Sequence, residues 1–460
     1  MNRRGFLKLS IFSSSLLLMP TFGSAKDIDI DSISFSKDIY DENGAQSVII
    51  FLYGGASQLN GNLTNLDEIE KYSQNSHRSY FRDMTVTTNG CWQEAGGEHI
   101  EKMLEDGDMT LYRCCYSEVR DLNDNRAHGV CTEQNQKGSF DTSGGGIVAN
   151  IASILYAKGA ISENAVMPFI SMEGDSIFYI PSNISIPTTL KPVGIDDNFD
   201  NPYERSRWSV RNWTYYTPEE RENDNYNGTD EEGGFDPALT AKMDEVAQSH
   251  NSYSQIKDNF ATRAQMADFI NKIKDAPVPS LGEDEYIEGD IFSDKLKAAI
   301  KILDNNEDTK IITLNTGGLG GWDDHNEARD YVKRSDSLFR ALRSAVAHIK
   351  AIEKEDKINI IVFAEFGRNV NLNLAYGWDH GNLQNVYVFG GKKYFSHKGV
   401  VGETIVDNTG VLNRLWLKPK DGTYWFEPMS IATTLYKIYG IQNPELLTTS
   451  NYEELSILNS

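Results

Sequence analysis

The segments "KIITLNTGG" (Lys310–Gly318) and "INIIVFAEFG" (Ile358–Gly367) are apolar runs rich in β-branched residues. Runs that are continuously apolar are typical of strands buried on both faces of a sheet. Between them, apolar side chains recur at helical spacing from Asp336 to Lys354, which predicts an amphipathic helix. A buried strand, a helix and a second buried strand predict a right-handed parallel crossover, and therefore an α/β fold.

Four further runs of the same kind extend this prediction to a mostly parallel sheet flanked by helices. They are "SVIIFLYGG" (Ser47–Gly55), "MTLYRCC" (Met109–Cys115), "VMPFISM" (Val166–Met172) and "NVYVFGG" (Asn385–Gly391). The stretch from about residue 198 to 290 differs, because it is rich in Asp, Asn and Gly and then becomes helical in pattern. We expect one α/β domain over residues 26–460, with a partly helical insertion or lid at about 198–290.

The N-terminal residues have the features of a twin-arginine export signal. Arg3 and Arg4 precede an apolar run to Met19, and small residues follow up to Ala25, so residues 1–25 are predicted to be cleaved. The apolar run is too short to cross a bilayer core of about 30 Å. We expect a periplasmic, cell-surface or secreted protein without a transmembrane segment after cleavage; the alternative is an uncleaved amphipathic anchor.

The charge balance is strongly acidic, with 44 Lys and Arg against 67 Asp and Glu, a formal net charge of −23. Electrostatic repulsion disfavours nucleic acid and anionic membranes as partners. An anionic substrate would therefore need a local positive centre, such as a metal ion or an arginine.

The four cysteines fall within one short region, at Cys91, Cys114, Cys115 and Cys131. In an oxidising compartment this spacing predicts at least one disulfide between Cys91 or Cys131 and the adjacent pair. The alternative is four buried thiols.

Polar residues follow the predicted strands, where ligands bind in open α/β sheets. "GGWDDH" (Gly320–His325) places Asp323 and His325 after one strand, and "GWDHG" (Gly377–Gly381) supplies His380. A carboxylate and imidazoles predict a divalent metal site; zinc, manganese and calcium are candidates, and nitrogen donors favour zinc, manganese or iron over calcium. The alternative is that each cluster is a turn in which Asp caps, Trp packs and Gly bends.

Two more segments carry candidate catalytic side chains. In "AEFGRN" (Ala364–Asn369), Arg368 offers a planar fork for a tetrahedral anion, or alternatively forms an internal ion pair with Glu365. In "NRAHGVCTEQ" (Asn125–Gln134), Thr132 is a candidate nucleophile with His128 as its base or as a metal ligand. A threonine at such a junction is also a common helix cap.

These motifs, in this order, together with "FLYGGASQLN" (Phe51–Asn60) and "PMSIATTLYKIYGI" (Pro428–Ile441), resemble the exported bacterial proteins of the domain-of-unknown-function 1501 family. That family is similar to the alkaline phosphatase and sulfatase superfamily. The resemblance implies an alkaline-phosphatase-like sheet with metals at the strand ends.

The resemblance also implies site residues, with two departures. Asp323 and His325 match the Asp…His metal pair, His380 matches the late histidine, and Glu365 stands where an Asp-His pair begins. Phe366 follows Glu365, so one histidine ligand is missing. The family often carries an aspartate where this chain has Asn60.

The function that we expect is metal-dependent hydrolysis of a phosphate or sulfate ester, acting on small anionic or carbohydrate-linked substrates. Asp323, His325, Glu365 and His380 would belong to the metal site, with Arg368 and His128 stabilising developing charge. The alternative is a noncatalytic exported binding or assembly protein with a degenerate site. A redox role for Cys114 and Cys115 is disfavoured because the chain has no C-x-x-C motif.

Overall fold

The computed structural model describes residues 27–71, 84–195, 245, 269–270, 272–326, 328, 330–408, 414–456 and 458. The export signal predicted for residues 1–25 lies outside the described residues, as does most of the insertion predicted for about 198–290. In these described ranges, no helix has both the length and the apolar character needed to cross a membrane.

The described part of the chain contains one large sheet and one small one. The strands are β1 Gln46–Leu52, β2 Met109–Tyr116, β3 Phe169–Ser171, β4 Val193–Gly194, β5 Ile311–Asn315, β6 Ile358–Ala364, β7 Leu383–Gly390, β8 Gly399–Val401, β9 Thr404–Asp407 and β10 Trp416–Pro419. The large sheet has the order β4-β3-β5-β1-β6-β7-β2-β8, and β9 pairs with β10 in an antiparallel ribbon. Within the large sheet, only the pairs that β7 makes with β6 and β2 are antiparallel. The predicted α/β fold with a mostly parallel sheet is confirmed.

Helices cover both faces of this sheet. The helices are α1 Lys37–Asn43, α2 Leu66–Glu70, α3 Gly97–Glu105, α4 Glu118–Leu122, α5 His128–Lys137, α6 Ile147–Ala157, α7 Ile291–Asn305, α8 Asp330–Ala351, α9 Met429–Ile438 and α10 Glu445–Thr448. Helix α8 connects β5 to β6, and β1 lies parallel between these two strands. The crossover predicted from the sequence is therefore present. Helix α8 begins at Asp330 and not at Asp336, because its first turns are polar apart from Tyr331 and Val332 and so lack the repeated apolar pattern.

The central strand β1 shows why the apolar runs are continuous. All seven of its residues are buried. Val48 and Ile50 belong to the core cluster that includes side chains of α7 and α8, whereas Ile49 and Phe51 belong to the cluster that includes side chains of α6 and α9. Because successive side chains of a strand point to opposite faces, a strand covered on both sides needs an apolar residue at nearly every position.

The predicted disulfide is absent, since all four cysteines are buried free thiols. Cys114 and Cys115 are adjacent in β2, and the alternation of the strand places Cys114 in one core cluster and Cys115 in the other. Cys91 packs in the same cluster as Cys114, but the Cys114 thiol contacts the Glu403 carbonyl oxygen and the Cys91 thiol contacts that of Asn89. The bond predicted between Cys91 or Cys131 and the adjacent pair is thus not formed, and the Cys91 and Cys114 thiols contact different backbone carbonyl oxygens although they share a core cluster.

Candidate metal centre

The two Gly-Trp-Asp segments, which follow different strands, contact each other at the carboxyl edge of the sheet. The Trp378 backbone N–H donates to the Asp324 carbonyl oxygen at 2.7 Å. A Cβ atom on Gly377 would lie 2.1 Å from the carbonyl carbon of His325 and 2.3 Å from the Asp324 oxygen. Only glycine allows this close approach, so Gly377 is needed where the two loops pack on one another, whereas a Cβ atom on Gly321 would meet nothing within 4 Å.

The tryptophans of the two segments hold the loops to the core. The side chains of Trp322 and Trp378 are both buried, and each packs edge-on against Tyr331 of α8, with ring centroids 6.1 Å and 5.3 Å away. Edge-to-face packing of this kind adds to the burial of the large rings. The loops that carry Asp323, His325 and His380 are thereby anchored to the helix that joins β5 and β6.

Four side chains converge beside these loops and are called here the histidine cluster: His128, Asp323, His325 and His380. One ligand atom from each lies within 4.8 Å of the others. Asp323 Oδ1 is 3.2 Å from His325 Nε2 and 3.4 Å from His128 Nε2, and the Nε2 atoms of His325 and His380 are 2.9 Å apart. The structure thus brings together three of the four predicted metal ligands and adds His128, which begins helix α5.

The ionisation states of His380 and Asp323 are those that metal ligands need. Burial, supported by the charge of Arg368, lowers the pKa of His380 to about 4, so its imidazole is neutral at neutral pH. Burial acts to raise the pKa of Asp323, but the hydrogen bond and charge of Arg368 outweigh it and hold that pKa below its usual value. Neutral imidazole and ionised carboxylate are the forms that bind metals.

The donor set fits a divalent transition-metal ion. Metal bonds of about 2.0–2.2 Å place neighbouring tetrahedral donors roughly 3.4 Å apart. Three donor pairs of the cluster are 2.9–3.4 Å apart, and all four donor atoms lie within 4.8 Å of one another. Three imidazoles and one carboxylate suit zinc, manganese or iron and not the all-oxygen cage of calcium. Calcium is therefore the poorest fit of the predicted ions.

Glu365 was predicted as a metal ligand, but it lies behind the histidine cluster. Its carboxylate is buried and accepts hydrogen bonds from His128 Nδ1 at 2.7 Å, from the Gly54 backbone N–H at 2.7 Å, and from the Thr132 hydroxyl. Glu365 contacts His128 Nδ1, which is the ring nitrogen opposite the one that faces Asp323. The sequence correctly predicted that Glu365 follows the end of β6. It did not predict that the carboxylate faces His128 Nδ1 and not a metal position.

Thr132, the candidate nucleophile, donates its hydroxyl hydrogen to Glu365 and lies one helical turn after His128 in α5. A hydroxyl that donates to a carboxylate behind the cluster is not directed toward a ligand at the cluster. The structure therefore places Thr132 as a support for Glu365.

Arg368, predicted to bind a tetrahedral anion, is buried and surrounded by protein acceptors. Its Nε donates to the Gly55 carbonyl oxygen at 2.6 Å, and its Nη1 to that of Trp378 at 3.0 Å. Its Nη2 donates to the Gly54 carbonyl oxygen and, at 2.6 Å, to Asp323 Oδ1. The guanidinium thus joins the loops that follow β1, β5 and β6. Its internal ion pair is with Asp323 and not with Glu365.

The two departures from the resembling family have different structural outcomes. The Phe366 ring packs against the imidazoles of His128 and His380, with centroid distances of 5.0 Å and 4.6 Å, where it supports the cluster instead of contributing a donor. Asn60 is buried away from the cluster, where its amide bonds to the backbone of Trp92 and Ala95. Neither position supplies an anionic ligand.

Asp379 is a site residue that the sequence reasoning missed. Its Oδ1 lies 3.3 Å from His325 Nδ1 and accepts from the Asn373 amide at 3.1 Å, while its Oδ2 pairs with Arg414 at 3.1 Å. The Asn373 amide and Arg414 lower the pKa of this carboxyl against the opposing effect of burial. The sequence did contain a signal for this role, because Asp379 directly precedes the predicted metal ligand His380.

No family model matches the chain, and no curated protein matches its sequence. Among solved structures, it is similar to Ps i-CgsB in complex with a neocarrahexaose, with a TM-score of 0.35 and 11% identity over 86% of this chain and 72% of that one. It is also similar to alkaline phosphatase from the Antarctic bacterium TAB5, with a TM-score of 0.32 and 10% identity over 86% of this chain and 98% of that one. A variant of that phosphatase with Mg bound gives a TM-score of 0.33 and 11% identity over 89% and 100% of the two chains.

These scores describe a distant likeness in chain path, and the family predicted from the sequence motifs stays a prediction.

Proposed function

We propose that this chain is a metal-dependent hydrolase of phosphate or sulfate esters. The observation that carries the proposal is the histidine cluster, in which one carboxylate and three imidazoles face each other within 4.8 Å at the carboxyl edge of a mostly parallel sheet. Ligand sites of open α/β sheets lie at this edge. The proposed ion is zinc, manganese or iron, held by His128, Asp323, His325 and His380.

The surrounding residues support this role in separate ways. When bound, such an ion polarises an ester oxygen and lowers the pKa of a water molecule. The Asp323 side chain is about half exposed at 50%, so a substrate can reach the cluster from solvent. Arg368 keeps Asp323 ionised and fixes its direction. Since Thr132 faces Glu365, we propose that the nucleophile is water and not a protein hydroxyl.

The proposed substrates are small anionic esters, including those carried on carbohydrates. The net charge of −23 repels polyanions, which argues against nucleic acid as the substrate. We further propose that the chain acts outside the cytoplasm, because Arg3 and Arg4 precede an apolar run of export-signal length. Fractionation of cells that express the chain or its Arg3→Lys/Arg4→Lys variant tests this: equal cytoplasmic retention of both would contradict export.

The direct test combines metal analysis with turnover. The full chain, purified without chelator, is analysed for metal and assayed with p-nitrophenyl phosphate, bis(p-nitrophenyl) phosphate and p-nitrophenyl sulfate, with His325→Ala as the matched control. We expect about one ion per chain and hydrolysis of at least one ester, both reduced in the variant. A chain that binds no zinc, manganese or iron would end the proposal.

The second candidate is a noncatalytic exported protein that uses the same cluster for binding or assembly. One observation favours it: the two side chains predicted to act directly on a substrate, Arg368 and Thr132, are both engaged by protein groups. Stoichiometric metal without turnover of any of the three esters would support this candidate over the hydrolase.

A further inference from the structure

Two carboxylates, Glu365 and Asp379, each contact the Nδ1 atom of a histidine of the cluster, at 2.7 Å for His128 and 3.3 Å for His325. In both histidines the opposite ring nitrogen, Nε2, is the atom that faces Asp323. The same arrangement therefore occurs twice, with two carboxylates of the connection between β6 and β7. We infer that Glu365 and Asp379 are positioning residues that turn His128 and His325 toward a bound cation; this inference rests on the proposed metal site.

The chemistry of the contact decides which ring nitrogen is free to bind. An ionised carboxylate can only accept hydrogen bonds, so the Nδ1 atom that faces it carries the proton. When the ring is neutral, its Nε2 atom then has a lone pair, and Nε2 is the atom that faces Asp323. A carboxylate behind a histidine thus selects the tautomer, fixes the ring plane and increases the basicity of the donor.

Asp379 is itself held in place from both sides. The Asn373 amide donates to Oδ1 at 3.1 Å, and Arg414 pairs with Oδ2 at 3.1 Å. Asn373 also donates to the His325 backbone carbonyl at 3.0 Å. Because one amide contacts both the carboxylate and the backbone of the histidine, the distance between Asp379 and His325 is set by the protein before any ion binds.

Glu365 is anchored differently. Its side chain is 2% exposed, and its three donors come from the loop after β1 and from α5: the Gly54 N–H, Thr132 and His128. This gives the otherwise unexplained Thr132 bond a purpose, since it holds the second carboxylate oxygen while the first takes His128. Removal of the Glu365 charge is expected to affect both the fold and the ion, whereas Asp379, 22% exposed, can be changed with less effect on the fold.

The test compares Asp379→Asn and Glu365→Gln with Asp108→Asn, a change at a buried carboxylate that pairs with Lys350 and Lys392. Zinc affinity of the full chain is measured by competition with a chromophoric chelator. We expect affinity to fall about 10- to 100-fold in each site variant and to stay within about twofold of wild type in Asp108→Asn. Asp379→Asn decides the inference even if Glu365→Gln does not fold.

A second readout separates positioning from a general loss of stability. The chain has eight histidines, so ¹⁵N-histidine spectra are simple enough to assign by single substitution. In Asp379→Asn we expect the ring nitrogens of His325 to shift toward a mixture of tautomers, with those of His348 unchanged.

Three outcomes overturn the inference. If wild type binds zinc and Asp379→Asn binds it within about twofold as tightly, the inference fails and the proposed metal site stands. If affinity falls but the His325 nitrogens do not move, Asp379 acts only through its charge and the positioning role fails. If wild type binds no zinc, manganese or iron, the proposed function fails and the inference fails with it.

Discussion

The histidine cluster and the ion pairs around Asp108 are two groups of charged side chains at opposite edges of the same sheet. Asp108 precedes β2 beside the end of β7, and its two oxygens pair with Lys392 at 2.8 Å and Lys350 at 2.9 Å. In this group each carboxylate oxygen has its own ammonium, and the charges are balanced by the protein. In the histidine cluster, Arg368 Nη2 donates to Asp323 Oδ1 at 2.6 Å and Arg368 Nη1 lies 3.3 Å from His325 Nε2. The Nε2 atoms of His325 and His380 also face each other, 2.9 Å apart.

This difference shows how a structural ion pair can be told from a ligand site. Donors and acceptors that complement each other within the protein stabilise it and leave nothing for a ligand to add. Electron-pair donors that face one another do not complement each other, and a cation between them would remove the mismatch. The two groups therefore differ in which atoms face one another: carboxylate and ammonium around Asp108, carboxylate and imidazole nitrogens in the histidine cluster.

The largest effect that would test this view is expected at Arg368, which lies under the histidine cluster. Arg368→Ala removes a buried cation that bonds to three loops, and it leaves carbonyl oxygens and Asp323 without their donor. We expect the free energy of unfolding to fall by about 3–5 kcal/mol, measured by urea denaturation. Arg414→Ala, at a half-exposed pair with Asp379, is the control and should cost less than about 1 kcal/mol. Similar losses for both variants would contradict the anchoring role of Arg368.

The next effect concerns the charge-balanced edge. Asp108→Asn leaves Lys350 and Lys392 without their buried counter-ion, but both ammoniums are partly exposed and recover hydration. We therefore expect a loss of about 1–3 kcal/mol in unfolding free energy and no change in bound metal. Metal loss in this variant would show that the two edges are coupled, and the comparison drawn above would fail.

At the histidine cluster we expect a substitution to reduce metal binding while leaving the stability of the fold nearly unchanged. His325→Ala removes one neutral donor from the cluster, so zinc affinity should fall at least about 10-fold, which equals about 1.4 kcal/mol of binding free energy. Without metal, the unfolding free energy of the variant should stay close to that of wild type. Calorimetric titration measures the first quantity and urea denaturation the second. A variant that loses stability but keeps its affinity would place His325 among the structural residues.

A smaller effect distinguishes the cluster from a histidine with no site around it. Burial lowers the pKa of His348 in α8 to about 4, below its value of about 6.5 in the unfolded chain. The unfolded state therefore binds this proton first as pH falls, and the native state loses stability from about pH 6.5 down to about pH 4. His348→Gln should flatten this part of the melting-temperature profile, with chelator present throughout. An unchanged profile would mean that other groups cause the loss.

The smallest expected effect is that of a reductant. Because all four cysteines are buried thiols, dithiothreitol should leave the melting temperature unchanged, and denatured, unreduced protein should show four reactive thiols. Fewer than four reactive thiols would show that the disulfide predicted from the sequence is present.

The candidate site could be predicted in its location but only partly in its composition. Asp323, His325 and His380 were predictable because strand ends define the ligand edge of a parallel sheet, and each of these residues follows or precedes a predicted strand. His128 was predicted as a base or a metal ligand, but its position beside Asp323 was not predictable, since α5 brings it in from a distant part of the chain. Glu365 and Arg368 were placed at the correct edge, but their side-chain directions depend on Gly54, Thr132 and Trp378, which no local pattern connects to them.

The sequence by itself determined the class of the fold, because burial of a strand on both faces requires continuous apolar runs, and a helix between two such runs has the 3.6-residue period of a one-sided contact. The tertiary structure decided why Gly377 is needed, because it meets the backbone of His325 in another loop, which leaves no space for a Cβ atom. Only the tertiary structure decided which polar atoms face one another: that Asp379 lies behind His325, that Glu365 lies behind His128, and that Cys114 and Cys115 lie on opposite faces of β2. The physical reason is the distance along the chain over which each effect acts. Propensity and periodicity act between near neighbours in the sequence. Hydrogen bonds and metal ligands depend on distances of about 3 Å between loops, and these loops come together only when the whole sheet has formed.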